Sequence, residues 1–218
     1  MEIDQIQTYL NSSDSTDRLK AITELRHYDS EVAVPLLKSK IRDREFLVRS
    51  FVAMGLGRKQ SADSFAALLE LMKFDGDPNV RAEAANSLSL YGPVSVSHLI
   101  MLFHQDDHWL VRRSILAAVV ELNCPEELFD ICACGLEGED HTVKEASIQA
   151  LGLLAGTTQQ DVALQQILPL VTSDWWRTRQ QVAKALAKFD DLQAREALIK
   201  LREDKDHRVV GAVLESSV

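Results

Sequence analysis

The sequence predicts an all-α chain, an α-α superhelix of about seven helix pairs, on three observations. A short phrase recurs along all 218 residues: an acid, two residues, an apolar residue, a basic residue, then small and apolar residues. Its basic positions, 18, 49, 81, 112, 144 and 179, with Val210 in the seventh copy, are separated by 31, 32, 31, 32, 35 and 31 residues. Chance does not hold such a register across a whole chain, and a period of this size marks stacked repeats. Third, the residues after each basic position place apolar side chains three and four apart, on one face of a helix.

In order, the copies are Asp14-Ser-Thr-Asp-Arg18, Glu45-Phe-Leu-Val-Arg49, Asp77-Pro-Asn-Val-Arg81, His108-Trp-Leu-Val-Arg112, Asp140-His-Thr-Val-Lys144, Trp175-Trp-Arg-Thr-Arg179 and Asp206-His-Arg-Val-Val210. The terminal copies depart most from the pattern, as end repeats with one neighbour do. In the third copy Val80, Ala84, Ser87 and Leu88 share a face; in the fifth, Val143, Ser147, Ala150 and Leu151 do. Small residues there let neighbouring helices approach. Gly57, Gly92 and Gly152 stand near helix ends, where a left-handed backbone is expected. Another helix precedes each phrase, marked by Leu36, Leu37 and Ile41, by Phe65, Leu68 and Met72, by Leu99 and Leu102, and by Leu128 and Ile131. Pro93 and Pro125 suit a first turn, whereas Pro169 lies deeper and predicts a kink. The one long spacing falls just before it, at 156–160. A single domain over 1–218 is expected, with repeats at 1–28, 29–58, 59–91, 92–122, 123–155, 156–189 and 190–218.

The repeated charges read as a structural ladder: Asp14 with Arg18, Glu45 with Arg49, Asp77 with Arg81, Asp140 with Lys144, and Arg112 and Arg179 in the same register. An acid at a helix start accepts from free backbone N–H groups, and a base four residues on lies above it. Three residues before each basic position stand Ser15, Phe46, Pro78, Trp109, His141, Trp176 and His207. Several are rings, which predicts an aromatic rim with Trp175 and Arg177 beside it.

An apolar fraction of 46 % allows a continuous core. A net charge of −9 argues against a nucleic-acid partner, which calls for a basic face. The three cysteines, Cys124, Cys132 and Cys134, form no disulfide framework and favour a reducing compartment. Met1-Glu2-Ile3-Asp4 carries no signal core, and no apolar run approaches the ~20 residues of a membrane helix. A soluble cytoplasmic chain with no membrane partner is expected. Cys132 and Cys134 point apart on a helix, so no metal is expected. His108 near Asp106 and Asp107, and His141 near Glu139 and Asp140, lack a nucleophile and a third orienting group. No catalytic residue is assigned.

These phrases resemble the HEAT-repeat family, specifically the short repeats of phycobilisome lyases: an acidic turn, Val-Arg, two small residues, then Leu-Gly. The resemblance covers essentially the whole chain, and neither the tetratricopeptide nor the ankyrin phrase is present. It implies that the helix after each acidic turn lines a concave side, with outward positions one and five residues past the basic residue. The first row is Leu19, Ser50, Ala82, Arg113, Glu145, Gln180 and Gly211; the second is Thr23, Met54, Asn86, Ala117, Gln149, Lys184 and Glu215. The candidate partner-binding residues are Phe46, Met54, Asn86, His108, Trp109, Arg113, His141, Gln149, Trp175, Trp176, Arg177, Gln180 and Lys184. The implied function is a non-enzymatic scaffold, adaptor or assembly factor with a protein partner and no cofactor. Family analogy suggests a phycobiliprotein or an iron–sulfur assembly protein. The alternative is a subunit of a bilin lyase, with bilin as the bound group, or a phycobilisome-turnover factor. A remoter comparison is with HEAT-like glycosylases that remove alkylated DNA bases, for which Trp109, Trp176 and Asp107 would serve; the acidic balance opposes it.

Overall fold

The computed structural model describes residues 1–215, and among these the regular structure is entirely helical. Fourteen α-helices follow one another in seven pairs. They are α1 (Ile3–Leu10) with α2 (Ser15–Glu24), α3 (Ser30–Lys38) with α4 (Phe46–Arg58), α5 (Ala62–Phe74) with α6 (Pro78–Ser89), and α7 (Val96–Gln105) with α8 (Trp109–Val120). Then come α9 (Pro125–Glu137) with α10 (His141–Gly152), α11 (Gln160–Ile167) with α12 (Trp176–Leu186), and α13 (Leu192–Leu201) with α14 (His207–Glu215). Each recurring phrase starts the second helix of its pair.

The turns act as N-caps. Asp14 accepts from Thr16 N at 2.8 Å, Asp77 from Asn79 N at 2.8 Å, Asp140 from Val143 N at 2.9 Å and Asp206 from Arg208 N at 3.0 Å. Each satisfies a helix-start donor that would otherwise lack a partner. In the fourth repeat the imidazole does this work, with His108 Nδ1 accepting from Leu110 N at 3.2 Å.

The chain forms two compact units, Met1–Ala118 and Val119–Val218. In the first, α2 packs on α4 and α4 on α6, while α3 packs on α5 and α5 on α7, so second helices form one layer and first helices another. Val48, Val52 and Leu56 of α4 and Val80, Ala84 and Leu88 of α6 are buried. In the second unit α10 packs on α12 and α12 on α14, backed by α9, α11 and α13.

Two expectations need correction. Gly57 and Gly152 are not left-handed: a Cβ on Gly57 would lie 2.7 Å from Ser87 Cβ, and one on Gly152 would lie 2.9 Å from Ala185 Cα. Both are glycines of close helix approach, and only Gly92, at φ 72°, has the expected backbone. Pro169 does not kink an α-helix. α11 stops at Ile167 and the chain tightens into a 3-10 turn, Leu168–Thr172, that contains it.

Candidate functional site

Arg18, Arg49, Arg81 and Arg179 point into the stack, and the carboxylate each grips lies on the turn of the next repeat, not four residues before it. Arg18 places Nε 2.8 Å from Asp43 Oδ2, and its Nη2 donates to Asp43 Oδ1 at 2.9 Å. Arg49 grips Asp75 at 2.6 and 2.8 Å, Arg81 grips Asp106 at 2.6 and 3.2 Å, and Arg179 grips Asp204 at 2.6 and 2.8 Å. The remaining nitrogen of each guanidinium turns back to its own loop, donating to Ser12 O, Asp43 O, Asp75 O and Ser173 O at 2.7–3.0 Å. Asp43, Asp75, Asp106 and Asp204 also accept from the backbone N–H two residues on, at 2.8–3.0 Å. One arginine thus ties its own turn to the turn of the next repeat.

The rungs are well covered, with side-chain exposures of 5 % and 7 % for Arg18 and Asp43 and 6 % and 8 % for Arg179 and Asp204. The hydrogen bond from Arg179 holds the Asp204 carboxyl below its ordinary range. Bonds to Asp75, Asp106 and Asp204 raise Arg49, Arg81 and Arg179. The acids expected to pair, Asp14, Asp77 and Asp140, are occupied as caps. Geometry decides this: an i−4 carboxylate reaches a guanidinium only along the helix surface, while the loop ahead presents a fixed planar pair of oxygens to its fork. Sequence reasoning missed these four aspartates, although each stands six residues before the next basic position or Val210. The same register holds Gly138 and Ser173, and among the described residues Lys144 makes no ion pair. Arg112 lies over the Phe103 ring, 4.4 Å from its centroid.

The two proposed surface rows differ. Thr23, Asn86, Ala117, Gln149, Lys184 and Glu215 are exposed and Met54 is half-buried, so the second row faces out. The first row does not form an open surface: Ala82 is buried, Leu19, Ser50, Glu145, Gln180 and Gly211 are half-buried, and Arg113 is exposed. One residue past the basic position points toward the neighbouring second helix.

The ring series coincides with the first residue of α2, α4, α6, α8, α10, α12 and α14. Phe46 and Trp109 are 43 % and 41 % exposed, and Trp109 stacks on His108 at 5.9 Å. Trp175, 42 % exposed, stacks on His141 at 5.0 Å and 14°. Trp176 behaves otherwise: Arg208 covers its ring at 3.3 Å, with Arg177 at 5.4 Å, making it a contact between α12 and α14. Two clefts open beside the second row. One, of about 70 Å³, lies between α2 and α4 and has Ile22, Leu37, Phe51 and Met54 in its lining. The other, of about 350 Å³, lies by α10 and α12 at Gln149, Leu153 and Lys184, where Gln149 donates to Gln181 at 2.9 Å. Cys132 is buried, and burial pushes its thiol up.

A family model described as HEAT repeats matches residues 37–119 and 132–217. The chain belongs to the HEAT-repeat family. Among solved structures it is similar to a chain of the complex of CpcE and CpcF of phycocyanin lyase from Nostoc sp. PCC7120, with TM-score 0.55 and 20 % identity over 100 % of this chain and 89 % of that one. It is also similar to an engineered protein, with TM-score 0.56 and 17 % identity over 99 % and 67 %. A third likeness, at TM-score 0.65 and 12 % identity, is to a chain of the structure describing Kap95p binding to RanGDP, covering 97 % of this chain and 34 % of that one. At such identities the HEAT likeness is one of fold. No curated protein sequence matches the chain. No helix among the described residues of this HEAT chain is long and apolar enough to cross a membrane.

Proposed function

We propose that the chain is a protein-binding scaffold that holds a partner polypeptide on the exposed face of its second helices and performs no chemistry of its own. The observation that carries this is the second row. Thr23, Asn86, Ala117, Gln149, Lys184 and Glu215 are exposed in six of the seven repeats and Met54 is half-buried in the other, while most positions around them pack. Phe46, Trp109 and Trp175 add exposed rings at the helix starts, and such side chains dominate binding where partners meet. The buried Arg–Asp rungs fix the turns that carry those rings, which lowers the ordering cost of binding. Two of the similar structures are of protein–protein complexes, CpcE with CpcF and Kap95p with RanGDP. That agrees with an adaptor or assembly factor.

Photo-crosslinking tests this. Benzoylphenylalanine placed singly at Asn86, Ala117 and Gln149 should capture a protein partner in extract of the source organism, and the same group at Ala66 and Leu192 on first helices should not. Capture from the first helices alone sinks the proposal. A second reading, a bilin-lyase subunit, draws support from the likeness to the phycocyanin lyase structure. It requires a visible absorbance shift when free bilin is added, alone or with a companion subunit; an unchanged spectrum in both settings removes it.

A further inference from the structure

We infer that the cleft between α2 and α4 is an anchor site for an acidic peptide, taking one bulky apolar side chain between carboxylates that meet Arg26 and Arg58. The inference rests on the protein-binding reading of the second-helix face and gives that partner a chemistry. Ile22, Leu25 and Leu37 are buried beneath the cleft, and Phe51 and Met54 flank it half-buried. Its size, about 70 Å³, is well below the ~300–1,000 Å³ of clefts that take a whole ligand, and it suits a single side chain. Gly55 lies in the lining, and a Cβ there would come within 2.9 Å of Leu37 Cδ2, so its absence keeps the cleft open.

The rim is cationic in a chain whose net charge is −9. Arg26 and Arg58 are exposed, and among the described residues neither forms an ion pair, unlike Arg18, Arg49, Arg81 and Arg179. Arg26 Nε donates to His27 Nε2 at 2.9 Å, which leaves its other donors for a ligand. Lys59 is held in place, its ammonium bonding Arg26 O and Tyr28 O at 2.9 and 2.5 Å. It therefore braces the backbone under Arg26 while adding positive charge. The charge acting on Arg58 from within the fold comes from Glu83 of α6, a half-buried carboxyl that burial raises above its ordinary range. An apolar floor with two exposed planar guanidiniums at its edge, each with donors left over, complements a side chain such as Leu or Phe flanked by Glu or Asp, since each fork can take a carboxylate.

The test uses the full chain and three fluorescein-labelled dodecapeptides, read by fluorescence anisotropy. In one, a central Leu-Phe is flanked by Glu residues; the second replaces Leu-Phe by Ser-Ser; the third replaces Glu by Lys. The first should bind, with affinity falling at least tenfold for either replacement and falling again as salt screens the charges. Arg26→Glu with Arg58→Glu should weaken the first peptide at least tenfold at an unchanged melting temperature, and Thr23→Trp, which fills the cleft from an exposed position, should do the same. Equal binding of the Ser-Ser peptide, or equal competition by a single-stranded DNA dodecamer, would mean a general polyanion surface and overturn the proposal. So would full binding by both variants. If no peptide binds while crosslinks persist at Asn86 and Gln149, the anchor site is wrong and the scaffold reading stands. If those crosslinks are absent as well, the scaffold reading has itself failed.

Discussion

Arg81 uses its guanidinium in three directions, with two nitrogens on Asp106 and a third on Asp75 O at 3.0 Å. A lysine ammonium cannot reproduce that planar fork. Removing one partner of a buried pair leaves an uncompensated charge, so Arg81→Ala should cost about 3 kcal/mol and Arg81→Lys roughly half of that. Urea denaturation followed by circular dichroism measures both. The terminal position of Arg18 suggests a weaker rung, but its side chain is only 5 % exposed and bonds Asp43 and two loop carbonyls. Arg18→Ala should therefore match Arg81→Ala, and a cost near zero would return it to the status of a loose cap. The sign of the pH effect follows from Asp204, whose carboxyl sits below its ordinary 3.8 because Arg179 donates to it. The folded protein binds fewer protons there than the unfolded chain, so this stabilisation is present above about pH 4 and is lost as pH falls through the depressed value. Asp204→Asn should be less stable than the parent at neutral pH, with the gap closing as pH falls below about 4. Denaturation midpoints at several pH values read that convergence. The caps were legible in the sequence because Asp before an apolar phrase has a local partner, the backbone two residues on. The rung partners were not, because a base with an acid four residues before it satisfies helix-surface pairing equally well. Only stacked turns bring an aspartate 25 residues away within 2.6 Å of Arg81.

Helices were legible because their period is local. The phrase marks the start of every second helix to the residue, from Ser15 to His207. What the pattern could not supply was the spacing between helices. Gly57 and Gly152 look like helix-end glycines from the sequence, yet they are contact points where α4 meets α6 and α10 meets α12. A methyl at Gly152 meets the Ala185 backbone at 2.9 Å, so α12 must shift. Gly152→Ala should cost about 1–3 kcal/mol, the scale of an overpacked core. At Gly211 of α14 nothing lies within 4 Å of the added carbon. Gly211→Ala should stabilise by roughly 0.5–1 kcal/mol through helix propensity alone. Thermal unfolding of the two variants should move in opposite directions; a common loss would mean that α14 also needs its glycine for packing. The rim divides for a similar reason. Trp109 and Trp176 occupy the same register, but only Trp176 has an arginine from the next helix, Arg208, over its ring. The sequence distance between those residues carries no hint of that cover.

At the scale of the whole chain, the ladder is uneven. The register six residues before each basic position, or before Val210, holds Asp43, Asp75, Asp106 and Asp204, but also Ser12, Gly138 and Ser173. Ser173 keeps part of the turn's role: its hydroxyl accepts from Trp175 N at 3.4 Å and its carbonyl accepts from Arg179 at 2.7 Å. It lacks only the carboxylate, and the base that would reach it is Lys144. In a repeat protein, stability is close to a sum of repeat terms and nearest-neighbour terms, so a missing step can be supplied without redesigning the rest. Lys144→Arg with Ser173→Asp should create the rung. A charge-assisted hydrogen-bonded pair contributes about 1.5–3 kcal/mol, and desolvation takes back part of it, so a net gain of about 1 kcal/mol is expected. The decisive quantity is the coupling in a double-mutant cycle. Ser173→Asp alone gives a carboxylate facing a lysine, Lys144→Arg alone gives a fork facing a hydroxyl, and the pair should be more stable than the two single effects added. Urea midpoints of the four proteins supply the cycle. Zero coupling would mean that the extra residues behind the spacing of 35 hold the Ser173 turn out of reach of α10, and that the ladder is interrupted by backbone placement as well as by the loss of a side chain.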